Sequence, residues 1–136
     1  YKGKYIDFEA KETTSKTSFS LSNIHEHQIK HLIDVKNKGA ISFLIVRFTV
    51  LDKTYLLDTN DLEYFIKNYE RKSIPLNFFE KYGTIIKIKY NPRIDYIEAI
   101  EKTYFGGINN EEKTKRYSNS RCEDNWYTYR SYRQRW

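Results

Sequence analysis

The chain has 136 residues, 39% of them hydrophobic, enough for the core of one ordinary domain and too few for a second. Its longest apolar stretch, Ala40 to Val46, is interrupted by Ser42 and closed by Arg47, far short of the roughly 20 residues of a bilayer-spanning helix. Neither a transmembrane helix nor a signal peptide is expected.

Lys and Arg outnumber Asp and Glu by 24 to 18, and 17% of the residues are aromatic, so nucleic acid is the first partner to consider. The single cysteine, Cys122, cannot form an internal disulfide and fits a reducing cytoplasm. There is no methionine, and Tyr1 leads straight into strand-like sequence, so the chain is read as lacking its beginning.

From Lys4 to Lys11 the side chains alternate, with Ile6, Phe8 and Ala10 on one side and Tyr5, Asp7, Glu9 and Lys11 on the other, the period of a half-buried strand. The apolar side is expected inward and the ionic side outward. After a Ser/Thr-rich connection, Ser22 or Asn23 is placed to cap a helix carrying Ile24, Gln28, Leu32 and Val35, which stops at Gly39. Ala40 to Leu51, rich in Ile, Val and Phe, reads as a central strand, and Asp52-Lys53 turns it into a hairpin partner over Thr54 to Leu57.

Asp58 to Asn60 forms a turn and cap, followed by a short amphipathic helix marked by Leu62, Phe65, Ile66 and Tyr69 and broken at Ser73-Ile74-Pro75. Pro75 opens a second brief helix through Tyr82. Gly83, a strand from Thr84 to Lys89, a corner at Pro92 and a helix with Ile94, Ile97, Ile100 and Tyr104 complete the body. The fold class is therefore mixed α/β, with hairpins and no internal repeat.

At Gly106-Gly107 the composition changes. Residues 1–106 read as the folded domain, and 107–136 as a basic extension in which Trp126, Tyr127, Tyr129, Tyr132 and Trp136 interleave with Arg130, Arg133 and Arg135. Such a segment suits stacking on bases and bridging of phosphates, and it equally suits docking onto the body or a twin subunit. Lys16, Arg130, Arg133 and Arg135 are the candidate nucleic-acid contacts.

The most informative short pattern is Asp7-Phe8-Glu9-Ala10-Lys11. A carboxylate and an amine two apart on a strand share one side, where a carboxylate-held divalent ion polarises a phosphodiester and a lysine stabilises charge developing on phosphorus. On spacing alone, a solvated strand face explains the pattern at least as well. His27 and His31 have the i, i+4 spacing of a zinc pair, yet no third ligand is evident. No partner base can be named for Cys122.

The run Tyr5-Ile6-Asp7-Phe8-Glu9-Ala10-Lys11-Glu12-Thr13 is followed by Asn23-Ile24-His25-Glu26-His27-Gln28-Ile29, Tyr55-Leu56-Leu57, Arg71-Lys72-Ser73-Ile74-Pro75 and Pro92-Arg93-Ile94-Asp95-Tyr96-Ile97. These blocks, spread from Tyr1 to about Phe105, resemble the RecU family of Holliday-junction resolvases. The resemblance implies a restriction-endonuclease-like PD-(D/E)xK fold, a mixed sheet flanked by helices, acting as a homodimer that cuts opposed strands of a four-way DNA junction with Mg²⁺ or Mn²⁺. It implies Glu9 as metal ligand, Lys11 as transition-state stabiliser and Gln28 as a further residue of the metal site. It also implies recombinase and branch-migration helicase partners.

In the family a threonine and an aspartate of the metal site, and a stalk that enters the junction, precede the position of Tyr1. The expectation is therefore a structure-selective endonuclease whose activity in this chain depends on those groups. The alternative is a junction-binding scaffold that has lost cleavage, and a basic RNA-binding domain is a third reading.

Overall fold

The computed structural model of the chain describes residues 1–89 and 95–106. In chain order its elements are β1 (Ile6–Thr13), β2 (Ser18–Ser20), a 3₁₀ turn (Leu21–Asn23), α1 (Glu26–Asn37), β3 (Ile41–Phe48) and β4 (Lys53–Asp58). Then come α2 (Thr59–Asn68), β5 (Ser73–Pro75), α3 (Leu76–Tyr82), β6 (Thr84–Ile86) and α4 (Tyr96–Ile100), which continues through a π-helical turn at Glu101–Phe105. Arg93, Ile94 and the Pro92 corner lie outside the described residues, as does everything from Gly107 onward.

The main sheet has the order β1-β3-β4-β6. β1 and β3 are parallel over their full length, from Ile6 opposite Ile41 to Thr13 opposite Phe48, and the connection between them contains α1, as a parallel pair requires. β3 and β4 form an antiparallel hairpin, and β6 joins β4 antiparallel, so the sheet is mixed. The hairpin turn passes through Asp52, whose φ of 51° is the left-handed conformation an aspartate tolerates better than most residues.

β3 is the buried centre. Ser42 to Val46 are all buried, the continuous run expected of a strand covered on both faces. On one face Leu44, Val46, Tyr55 and Leu57 pack against Ile29 of α1, Leu62 and Phe65 of α2, and Phe78 and Phe79 of α3. On the other, Phe43, Ile45, Leu56 and Ile86 pack against Ala99 and Ile100 of α4. Each fully buried Leu, Ile or Phe stabilises the fold by roughly 1.5–3 kcal/mol. Helices thus cover β3 on both faces, and β1 lies along its side as the outermost strand among the described residues.

Several local expectations change. The cap of α1 is His25 rather than Ser22 or Asn23, because Leu21–Asn23 closes a 3₁₀ turn and Ile24, 1% exposed, is drawn extended into the core. Lys38 then ends the helix, and Gly39 follows at φ 89°, the left-handed stop the sequence predicts.

The strands expected over Ala40 to Leu51 and Thr84 to Lys89 are trimmed to Ile41–Phe48 and Thr84–Ile86. Ser73–Pro75 forms a strand paired antiparallel with β2, a two-stranded ribbon that the sequence does not announce.

Tyr5 is exposed and Ile6 packs on the core as expected, but from Asp7 to Glu12 the exposure of β1 is reversed. Phe8 is 38% exposed and Ala10 and Glu12 are exposed, whereas Asp7, Glu9 and Lys11 are half-buried. α1 covers the ionic side, while on the other side Phe8 stacks on Phe43 and tilts against Tyr96, at ring-centroid distances of 5.2 and 5.9 Å.

Candidate active site

The pairing of β1 with β3 decides where the acid-x-lysine pattern points. Glu9 stands opposite Leu44 and Lys11 opposite Val46, both core residues on the face covered by α1. Glu9 and Lys11 therefore project from the same side of β1, as the two-residue period requires. Both are half-buried, beside solvent and not sealed from it.

Helix α1 supplies the neighbours. Gln28, in its first turn, donates from Nε2 to Glu9 Oε2 at 3.2 Å, while its Oε1 accepts the backbone N–H of the capping residue His25 at 3.1 Å. One turn further on, His31 Nε2 lies 2.6 Å from Asp7 Oδ2. With residue 28 over residue 9 and residue 31 over residue 7, the helix runs opposite to the strand. Lys11 then lies toward the helix N-terminus, where orphan N–H groups and the positive end of the helix dipole favour anions. No hydrogen bond or ion pair engages its Nζ among the described residues.

The structure thus brings together Glu9, Lys11 and Gln28. It also shows a contact the sequence reading missed, that of Asp7 with His31. The signal was present: Gln28 and His31 are three apart, on one helix face, as Asp7 and Glu9 share one strand face. His27 does not join His31; its ring stacks on His25 with centroids 5.5 Å apart and planes 9° from parallel. Among the described residues no group of three or more His, Cys, Asp or Glu side chains is placed to hold a metal ion.

Lys16 is exposed on the loop between β1 and β2, which Ser15 orders by accepting the N–H groups of Thr17 and Ser18 at 3.3 Å each. Arg130, Arg133, Arg135 and Cys122 lie outside the described residues. No helix among the described residues is long and apolar enough to cross a membrane.

A half-buried carboxylate, an ammonium two residues along the same strand with no partner among the described residues, and a helix N-terminus beside them are gathered on one side of β1. A mixed sheet flanked by helices and carrying that site is a nuclease-like architecture. The model of one family, described as Recombination protein U, matches residues 1–102, and the chain belongs to this RecU family.

Among its relatives, the Holliday junction resolvase RecU of Geobacillus sp. strain WCH70 is 56% identical over 108 residues, covering 77% of this chain and 54% of the relative. That of Pediococcus pentosaceus is 51% identical over 105 residues, 75% of this chain and 52% of the relative. That of Oceanobacillus iheyensis is 49% identical over 108 residues, 77% and 55%. The chain spans about half the length of the curated relatives it matches.

Proposed function

We propose that the protein is a divalent-metal-dependent endonuclease of four-way DNA junctions, and that Glu9 and Lys11 are its catalytic pair. The observation that carries this reading is their common side on β1, with Gln28 fixed against Glu9. The names of the relatives, each a Holliday junction resolvase, support the substrate.

The donor set fits an ion in part. Glu9 Oε2 is engaged by Gln28, Oε1 carries no hydrogen bond among the described residues, and an ion held there would complete its shell with water and phosphate oxygens, as Mg²⁺ commonly does. Mg²⁺ or Mn²⁺ bound there would supply Lewis-acid polarisation of the phosphodiester and a more acidic bound water.

The chain's own residues do the rest. Glu9 presents a carboxylate whose rotamer is held from α1. Lys11, with no ion-pair partner among the described residues, is placed to stabilise the charge that grows on the non-bridging oxygens in the transition state. The N-terminal end of α1 adds a fixed positive potential on the same side.

Cutting two equivalent strands of a two-fold junction calls for two equivalent sites, which a homodimer supplies. Recombinase and branch-migration helicase partners, and a reducing cytoplasm compatible with the lone Cys122, belong to the same reading. Lys16 and the arginines of the extension, Arg130, Arg133 and Arg135, are assigned to phosphate contact.

The test is cleavage of a synthetic four-way junction and of matched duplex DNA, with Mg²⁺, with Mn²⁺ and with chelator. Paired nicks on opposed strands of the junction only, abolished by chelator, are expected. Binding of the junction without nicking under any ion would replace the enzyme with a junction-binding scaffold, and equal affinity for duplex RNA would remove the junction from the account.

A further inference from the structure

We propose that Gln28 is a positioning residue, acting on the Glu9 carboxylate through its amide N–H groups while its amide oxygen is committed to starting α1. The catalytic meaning of this rests on the nuclease reading of Glu9; the structural claim does not.

A carboxamide has a donor end and an acceptor end, and here each has a partner of the opposite kind. Oε1 accepts from the His25 backbone N–H at 3.1 Å, and Nε2 donates to Glu9 Oε2 at 3.2 Å. Turning the amide over would set two donors against each other at His25 and two oxygens against each other at Glu9. Both ends therefore enforce one orientation.

The acceptor end satisfies one of the unpaired N–H groups that open any helix, the role a Gln or Glu takes in the third helical position. His25 has an extended backbone and its carbonyl takes the Gln28 N–H at 3.0 Å, so the short segment from 25 to 28 is closed from both sides.

The consequence for the site follows from the chemistry of the two ends. The oxygen, the only side-chain atom of Gln28 able to ligate a cation, is turned to the helix start, and the nitrogen is turned to the carboxylate. A neutral donor orients Glu9 without cancelling its charge, which a lysine or arginine in the same place would do. It leaves the other carboxylate oxygen, Oε1, for a cation. Hydrogen bonds of this kind to a ligating carboxylate fix its rotamer, and losing one commonly weakens metal binding by roughly 10–100-fold.

Two substitutions separate the two ends. Gln28→Glu keeps an oxygen for the His25 N–H and removes the donor, while Gln28→Met removes both at similar size. The readout is the Glu9 side chain itself, by NMR three-bond couplings in the metal-free chain, together with the melting temperature and Mn²⁺ affinity from proton relaxation enhancement.

Glu9 is expected to hold a single χ1 rotamer in the original chain and to average among rotamers in both variants. Melting temperature should fall for Gln28→Met through loss of the cap, and less for Gln28→Glu, which keeps the cap but sets a second carboxylate facing Glu9. Mn²⁺ affinity should fall on the order of 10-fold in Gln28→Met.

A single Glu9 rotamer retained in Gln28→Met, or rotamer averaging already present in the original chain, overturns the proposal. Should Glu9 lose its order in Gln28→Met while the original chain binds no Mn²⁺ near it, positioning stands and the nuclease reading is the one that loses support.

Discussion

Tyr104→Phe removes a single buried hydroxyl and leaves the ring in place. That hydroxyl donates to Asp58 Oδ1 at 2.5 Å and lies 3.3 Å from Ser42 O, tying the turn after α4 to the hairpin of β3 and β4. Asp58 is only 5% exposed, and its other oxygen accepts the Asn60 N–H at 3.1 Å to cap α2. The variant therefore leaves a buried carboxylate short of one donor. A hydrogen bond to a charged group contributes about 1.5–3 kcal/mol, so the expected loss is about 2 kcal/mol. At roughly 4 °C per kcal/mol for a domain of this size, melting should fall by about 8 °C at pH 7.

The same variant carries a pH signature. Burial, the charge and hydrogen bond of Asp58, and the charge of Asp61 push the Tyr104 phenol well above its usual value of 10.0. The folded state thus favours the neutral form, while the unfolded phenol ionises near its ordinary value. That contribution is complete below pH 10 and is lost as the pH rises toward the raised folded value. Urea denaturation followed by circular dichroism from pH 7 to 11 should show a shallower alkaline decline for Tyr104→Phe than for the original chain. A melting temperature within about 1 °C of the original, or an unchanged alkaline limb, refutes the reasoning.

Two further stability predictions concern the helices that hold the site. Burial raises the Glu63 carboxyl, but Lys36 at 2.9 Å and Lys67 at 3.0 Å outweigh it and hold the group below its usual 4.5. This bridge from α2 to α1 stabilises above the unfolded pKa and is lost as pH falls through the lower folded value. Glu63→Gln should cost about 1 kcal/mol at pH 7 and little at pH 2, measured by urea melts at both. At Gly83 an added Cβ would sit 2.5 Å from Phe79 O, so Gly83→Ala should destabilise by about 1–3 kcal/mol through collision with the end of α3. An unchanged urea midpoint would show that the turn gives way freely.

How much of this was legible from the residues depends on how local the cause is. The β3 and β4 hairpin, the Asp58 cap and the Gly39 stop were readable, because each is decided by a few neighbouring residues. The β2 and β5 ribbon was not. Three-residue strands carry no usable period, and their pairing joins Ser18–Ser20 to Ser73–Pro75 across the whole body.

The shared side of Glu9 and Lys11 followed from the period of a strand. Which side α1 would cover did not, since that depends on the crossover from β1 to β3, so Phe8 was expected inward and is 38% exposed. Gln28 entered through the family resemblance alone. Its orientation depends on His25 acting as cap, a choice that intrinsic preference awards to Ser22 or Asn23. Arg130, Arg133 and Arg135 lie outside the described residues, so their role stays a proposal.

The most direct measurement is a paired one on Lys11→Ala: equilibrium binding to a four-way junction, and single-turnover cleavage of the same junction with Mg²⁺. Lys11 has no partner to lose among the described residues, so folding stability should change by less than about 0.5 kcal/mol. Junction affinity should stay within about threefold while cleavage falls at least ~10²-fold, because the ammonium acts on charge that exists only in the transition state. Cleavage by Lys11→Ala at the original rate would contradict the account and take Lys11 out of the mechanism.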